Sequence, residues 1–300
     1  MRIHQFLQVD AFTDQPLYGN PCAVLFETDN IEEDKLLAIA KEMNLSETAF
    51  VRHSDIADFA VRYFTPAEEI PLAGHPTIAT AHALVDTGRV KLIDTLSSIK
   101  LEMRVGIIQV DIHSREGEPR VYTMRQQTPK FLSIYDPEEV MPIFGLSVGD
   151  LLQNNYIQTV STGTPQLMIP VQGLDVLRRI EININAYADL RTRGDFFSPH
   201  IFCLQGVTSV GETFSRHFGV PPDTPEDPVT GSATGGMAAY LWHYGLINKP
   251  TFVAEQGHWM KRPGQIQVEV IGPRDNIQRV NIGGSAVTTI RGELTLDNWS

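Results

Sequence analysis

The sequence predicts an α+β protein in which one domain is built twice, each copy a curled sheet of short strands around a central apolar helix. Three observations lead there. The chain has 300 residues, about twice the usual domain length. It also repeats itself: Gly74-His75-Pro76-Thr77-Ile78-Ala79-Thr80-Ala81-His82-Ala83-Leu84 is echoed 157 residues later by Gly231-Ser232-Ala233-Thr234-Gly235-Gly236-Met237-Ala238-Ala239-Tyr240-Leu241. A second echo, at an offset of 158, sets Arg104, Gly106, Gln109, Val110 and Asp111 against Arg262, Gly264, Gln267, Val268 and Glu269. Finally, the repeated segments Thr77 to Val85 and Ala233 to Trp242 carry almost no charge on any face. A helix that is apolar all round is buried on all sides, so strands must wrap it. A two-layer arrangement with one greasy helix face is the alternative.

The elements of the first copy follow in order. Arg2 to Phe12 alternates as a strand, and Pro21 to Phe26 reads as a second. Ile31, Leu36, Leu37, Ile39, Ala40 and Met43 line one face of a helix over 31–43. Strands follow at Thr48 to His53 and Phe59 to Phe64, and then a helix that opens at Pro76 and closes at Gly88. Strands at Ser97–Leu101 and Gly106–His113 complete the copy. The expected domains are 1–125 and 126–300, with the C-terminal strand a candidate to pack back on the first.

Charge and composition exclude several function classes. The formal net charge is −12 and the pI near 5.2, which disfavours phosphate backbones and anionic lipid surfaces. No apolar run approaches the roughly 18 residues of a membrane span, and the N-terminus does not read as a signal peptide. Cys22 and Cys203 make no disulfide framework or cysteine metal site. There is no H-E-x-x-H, no G-x-x-x-x-G-K-[ST] and no G-x-G-x-x-G after a strand; Thr230 occupies the place where a G-x-S-x-G elbow needs glycine. His82 and His243 read as core or capping histidines. The expectation is an acidic, soluble, cytoplasmic protein that takes a small molecule and binds neither nucleic acid nor membrane.

Both central helices start after glycine and a polar residue, Gly74-His75 and Gly231-Ser232. Helix N-termini offer unpaired N–H groups and the positive dipole end, which suit a carboxylate. Ordinary capping by Thr230 or Ser232 explains the same residues. Two halves related by a pseudo-twofold axis would aim both starts at one cleft, and an anion bridging them would draw the halves together. Asp227 precedes one helix and His75 starts the other, where the dipole disfavours an imidazolium; both also suit ordinary turns. Glu47 stands where an apolar strand begins, a place where a carboxylate is often only solvated.

At these residues the sequence resembles the PhzF family of phenazine-biosynthesis isomerases, which share the duplicated diaminopimelate-epimerase-like fold. The resemblance rests on Asp10-Ala11-Phe12, Gly19-Asn20-Pro21, Asn44-Leu45-Ser46-Glu47-Thr48, Arg62-Tyr63-Phe64-Thr65-Pro66, Ala73-Gly74-His75-Pro76 and Glu226-Asp227-Pro228-Val229-Thr230-Gly231-Ser232-Ala233. It implies that Glu47 is the acid–base residue and that His75 and Asp227 assist. Gly74, Gly231, Ser232 and Asn20 would hold the substrate and its carboxylate. It further implies isomerisation of a dihydro-hydroxyanthranilate-like acid with no cofactor and no metal, by a homodimer. Relatives of the epimerase type use two opposed cysteines before the central helices. Here His75 and Asp227 lie near those places and both cysteines are expected elsewhere. A racemase of an amino-acid-like acid and a catalytically silent binding protein are the competing expectations.

Overall fold

Alternating segments become strands and the two charge-free segments become buried helices. The computed structural model describes residues 2–221 and 223–296. The chain divides into two compact units, one of Met1–Arg125 with Gly283–Ser300 and one of Gln126–Ile282. The final strand therefore counts with the first unit.

The first unit runs β1 (Arg2–Ala11), β2 (Asn20–Leu25), α1 (Glu33–Met43), β3 (Glu47–Arg52), β4 (Phe59–Phe64), β5 (Glu69–Ile70), α2 (Gly74–Asp86), β6 (Leu96–Met103), β7 (Gly106–His113) and β8 (Val121–Arg125). The second runs β9 (Lys130–Tyr135), α3 (Pro137–Val140), β10 (Ile157–Ser161), β11 (Pro165–Pro170), α4 (Leu174–Arg178), α5 (Ile184–Arg193), β12 (Ser198–Cys203), β13 (Thr213–Phe218), β14 (Glu226–Asp227), α6 (Gly231–His243), β15 (Thr251–Gln256) and β16 (Gly264–Ile271). Then β17 (Arg279–Gly284) crosses the second boundary, and β18 (Ala286–Leu296) pairs antiparallel with β1.

Strand pairing repeats between the units. Antiparallel β1·β2, parallel β2·β3, antiparallel β3·β4 and β4·β5, parallel β4·β6 and antiparallel β6·β7 form the first series. In the second unit β10·β11, β11·β12, β12·β13, β13·β14, β13·β15 and β15·β16 repeat it in order and sense. Each series holds two parallel pairs, which need crossovers: α1 and α5 lie in the first of these, α2 and α6 in the second. Arg104 and Arg262, matched in the second echo, both fall in the turn between the strands of the last pair.

Each central helix is enclosed, as an apolar cylinder requires. From Gly74 through Leu84 every residue of α2 is buried, and so is every residue of α6 from Gly231 through Leu241. Helix α2 touches β1, β2, β3, β7, β8 and β18, so the sheet wraps it rather than covering one face. Ile78 and Leu84 are fully enclosed, a burial that contributes about 1.5–3 kcal/mol for each such side chain. Among the described residues, no helix is long and apolar enough to cross a membrane.

The structure corrects the expected helix edges. Helix α2 begins at Gly74, so Pro76 is its third residue and not its first. Its C-cap is Thr87, with Gly88 following at φ +72°. His243 is exposed at the end of α6, where Nδ1 lies 3.0 Å from the Arg274 carbonyl, whereas His82 is buried between Tyr122 and Thr288.

Four buried histidines make the fold acid-sensitive. Burial pushes His75 and His217 down to about 3 and His82 to about 4, and holds His200 well below the usual range. Free histidine titrates near ~6.5, so below that pH the unfolded chain binds protons that the folded chain refuses. Stability is therefore fully present above ~6.5 and is lost as pH falls from there. The expected result is a lower urea midpoint at pH 5 than at pH 7, with each histidine contributing up to about 1.4 kcal/mol per pH unit. Equal midpoints at the two values would contradict it.

Candidate active site

In the first unit, three chain segments converge on His75. Helix α1 ends at Asn44, whose left-handed conformation (φ 50°) lets its N–H reach the Ala40 carbonyl. Asparagine tolerates that region better than most residues, which accounts for its place in Asn44-Leu45-Ser46-Glu47. The turn delivers Glu47 as the first residue of β3, in register with Cys22 on β2. Asn20 opens β2, and His75 is the second residue of α2.

The geometry around that ring is tight. His75 Nε2 lies 3.3 Å from Glu47 Oε2, with the glutamate side chain 16% exposed and the histidine 3%. On the other edge, Asn20 Nδ2 lies 2.9 Å from His75 Nδ1. Burial keeps the ring neutral, opposed in part by the Pro21 backbone. Gly74 is buried and Ala73 is the N-cap, so no side chain caps the helix start. Thr77 Oγ1 donates to the Ala73 carbonyl (2.6 Å) and lies 3.0 Å from the Tyr63 hydroxyl.

Cys22 requires a correction. It is not remote from the candidate residues but pairs with Glu47 across β2 and β3. Burial, then the Glu47 charge, raise its thiol well above the usual range. A neutral thiol is a poor nucleophile and a poor base, so it packs beside the carboxylate without supplying a thiolate. Cys203 ends β12, and burial raises its thiol to about 11.

In the second unit, β14 carries Asp227 opposite His217 of β13. Thr230 takes the N-cap position of α6 but does not cap: its hydroxyl donates to Asp227 Oδ2 at 2.5 Å. Gln256 closes this knot. Its Nε2 donates to the Asp227 carbonyl (2.7 Å) and to Thr230 Oγ1 (3.1 Å), and its Oε1 accepts from the Thr230 N–H (3.0 Å). Gln126 donates to the Gly231 carbonyl at 3.1 Å, and Ser232 is buried in the first turn. The helix start is again left without a side-chain cap, although a threonine stands in the capping place.

Two further pairs escaped the sequence reading. Arg62 grips Glu69 through Nε and an Nη at 2.8 and 2.7 Å, and Arg216 grips Glu226 at the same two distances. Each guanidinium also faces a phenylalanine two residues on, Phe64 or Phe218. These forked pairs pin the short strands β5 and β14 that lead into the central helices, and the fork adds direction to the charge. The signal was present as a third echo, Arg62-Tyr63-Phe64 with Glu69 against Arg216-His217-Phe218 with Glu226.

The duplication of the fold does not extend to these residues. The position matching Glu47, at the start of β12, is Ser198, and the position matching His75 is Ser232. Asp227 stands where the first unit has Ile70. One scaffold, used twice, carries different chemistry in each copy.

A family model described as phenazine biosynthesis-like protein, PhzC-PhzF, matches residues 9–292. The chain belongs to the PhzC-PhzF family. It is 31% identical to the uncharacterized isomerase YfhB of Bacillus subtilis over 289 residues, covering 96% of this chain and 97% of that one. It is 30% identical over 301 residues to the trans-2,3-dihydro-3-hydroxyanthranilate isomerase of Pseudomonas fluorescens, covering 98% and 100%. Among solved structures, the PhzF-family protein of Bacillus anthracis superposes with a TM-score of 0.87 at 31% identity, covering 99% of this chain and all of that one. The PhzF fold expected from the motifs is thus the fold observed, and the chain is an isomerase of this family.

Proposed function

We propose that the protein shifts a proton within a small cyclic carboxylic acid of the dihydro-hydroxyanthranilate type, with Glu47 as the proton shuttle. The observation that carries this reading is the Glu47–His75 pair, a half-buried carboxylate held against a neutral imidazole at an uncapped helix start. Such a carboxylate can take a proton from one ring carbon and return it to another. The step balances within the substrate. One C–H bond breaks as Glu47 takes the proton, the electron pair moves along the ring as the double bonds shift, and a new C–H bond forms with a proton that the Glu47 carboxyl delivers after exchange with solvent. The resulting enol then goes to a ketone, and no oxidant or reductant is consumed. The start of α2, which has no side-chain cap, suits the substrate carboxylate. Asp227 and Ser232 are the second unit's proposed contributions.

Asymmetry between the units speaks against the racemase reading. Epimerisation by two bases asks for one acid–base group at equivalent places in each half, and Ser198 and Ser232 occupy the counterparts of Glu47 and His75. The test is turnover of trans-2,3-dihydro-3-hydroxyanthranilate in deuterated water. Deuterium is expected at a ring carbon other than the one that lost hydrogen. Deuterium at the original carbon with inversion, from an amino-acid-like acid, would replace this reading with the racemase. No turnover over a panel of carboxylates would leave a binding protein.

A further inference from the structure

We infer that Asn20 is a positioning residue: its amide holds His75 in the tautomer with hydrogen on Nε2, so that an N–H faces Glu47. The catalytic consequence rests on the role proposed for Glu47, but the tautomer stands on geometry alone. Asn20 was expected among the substrate-binding residues. It is fully buried, and its amide nitrogen lies 2.9 Å from His75 Nδ1. An amide nitrogen has hydrogens to give and no lone pair to offer, so Nδ1 must accept. A neutral imidazole has a single N–H, which is then on Nε2.

The opposite edge of the ring is compatible with the same tautomer. Nε2 lies 3.3 Å from Glu47 Oε2. A bare Nε2 would set its lone pair against those of a carboxylate, whereas Nε2–H sets a donor there. The backbone explains how Asn20 comes to be fixed. Gly19 just before it sits at φ +57°, and a Cβ at that position would lie 2.2 Å from the Ala11 carbonyl oxygen. Only glycine makes that reversal, and it leads directly into β2 with Asn20 as first residue.

The tautomer divides the labour between the two partners. An Nε2 that already carries hydrogen cannot abstract a proton from substrate. His75 therefore presents an N–H toward Glu47 and not a base, and the glutamate alone shuttles the proton. Such support resembles the outer hydrogen bonds that fix a ligating or catalytic imidazole elsewhere.

The test is nitrogen NMR of the full chain labelled with 15N-histidine, His75 being assigned by the signals lost in His75→Gln. Wild type at pH 7 is expected to show hydrogen on Nε2 and a bare Nδ1; hydrogen on Nδ1 overturns the inference, whatever the variants do. Asn20→Asp exchanges a donor for an acceptor, so hydrogen is expected to appear on Nδ1. Its turnover is expected to fall on the order of tenfold to a hundredfold with a smaller change in KM. A spectrum and turnover like those of wild type would also overturn it. Failure of the wider reading looks different: Glu47→Gln would then turn over normally while the His75 tautomer stays as stated.

Discussion

Glu47→Gln is expected to lower turnover by about a hundredfold to ten-thousandfold, the range in which a positioned general acid–base group contributes. Glutamine keeps the length and shape of the side chain but cannot exchange a proton at neutral pH. The register of Glu47 with Cys22 is a backbone feature, so β3 should form as before. At 16% exposure the side chain lies at the margin of the core, and the Gln amide can still meet His75 through its oxygen. Thermal stability and carboxylate binding should therefore stay close to wild type while kcat collapses. Melting curves, calorimetric binding of a substrate-like carboxylate and single-turnover rates measure the three quantities separately. Normal single-turnover rates would remove Glu47 from the chemistry; lost stability would make it a structural residue.

Much of the fold was legible because its causes are local or periodic. Two helices without charge pointed to a central placement over a two-layer one, and their echo pointed to a domain that occurs twice. Burial confirms each: both are enclosed for their first eleven residues. The β4 and β7 limits read from alternation, Phe59–Phe64 and Gly106–His113, are the observed ones. What escaped depends on register and on tertiary partners. The start of α2 was placed at Pro76 because proline favours the first turn, but proline is tolerated anywhere in that turn and the chain enters the helix at Gly74. Cys22 looked remote from Glu47 because 25 residues separate them, yet a parallel pair closed by a crossover helix sets them side by side. Thr230 has the residue type of an N-cap, but Asp227 and Gln256 compete for its hydroxyl. No pattern in Gln256's own segment announces that competition.

The repeat pointed to the helix starts with His75 and Asp227 beside them, whereas the roles of these residues and of Glu47 came only from the family motifs. Self-comparison highlights what both copies need: the glycine that opens each helix, Thr77 and Thr234 bonding back to the carbonyl four residues before, and the forked Arg–Glu pairs. Those are scaffold. Glu47, His75 and Asp227 fall where the copies differ, and the proposed role of Glu47 as the single shuttle asks for such a break in symmetry. A second copy of a shuttle would be an additional base with no proton to move.

A large effect on stability is expected at a residue with no chemistry, Gly257. It follows Gln256 at φ +80°, and a Cβ there would lie 2.3 Å from the Arg262 carbonyl oxygen and 2.6 Å from that of Pro228. Both obstacles are backbone, and the Gly257 carbonyl itself accepts from Met260 and Arg262. Nothing nearby can swing aside. Gly257→Ala therefore carries about 1–2 kcal/mol for the left-handed backbone and about 1–3 kcal/mol for overpacking. In a chain of this size that lowers the melting temperature on the order of 10 °C. Gly117→Ala separates the two causes, because Gly117 has φ +78° and nothing within 4 Å of its absent Cβ. That variant should lose only the first part. The strain in Gly257→Ala lands on Pro228 and on the Gln256 amide that ties Asp227 to Thr230, so turnover should fall further than the melting point alone accounts for. Equal melting temperatures for the two variants would show that the Pro228–Arg262 backbone yields, and that the second unit's helix entrance is softer than its hydrogen bonds imply.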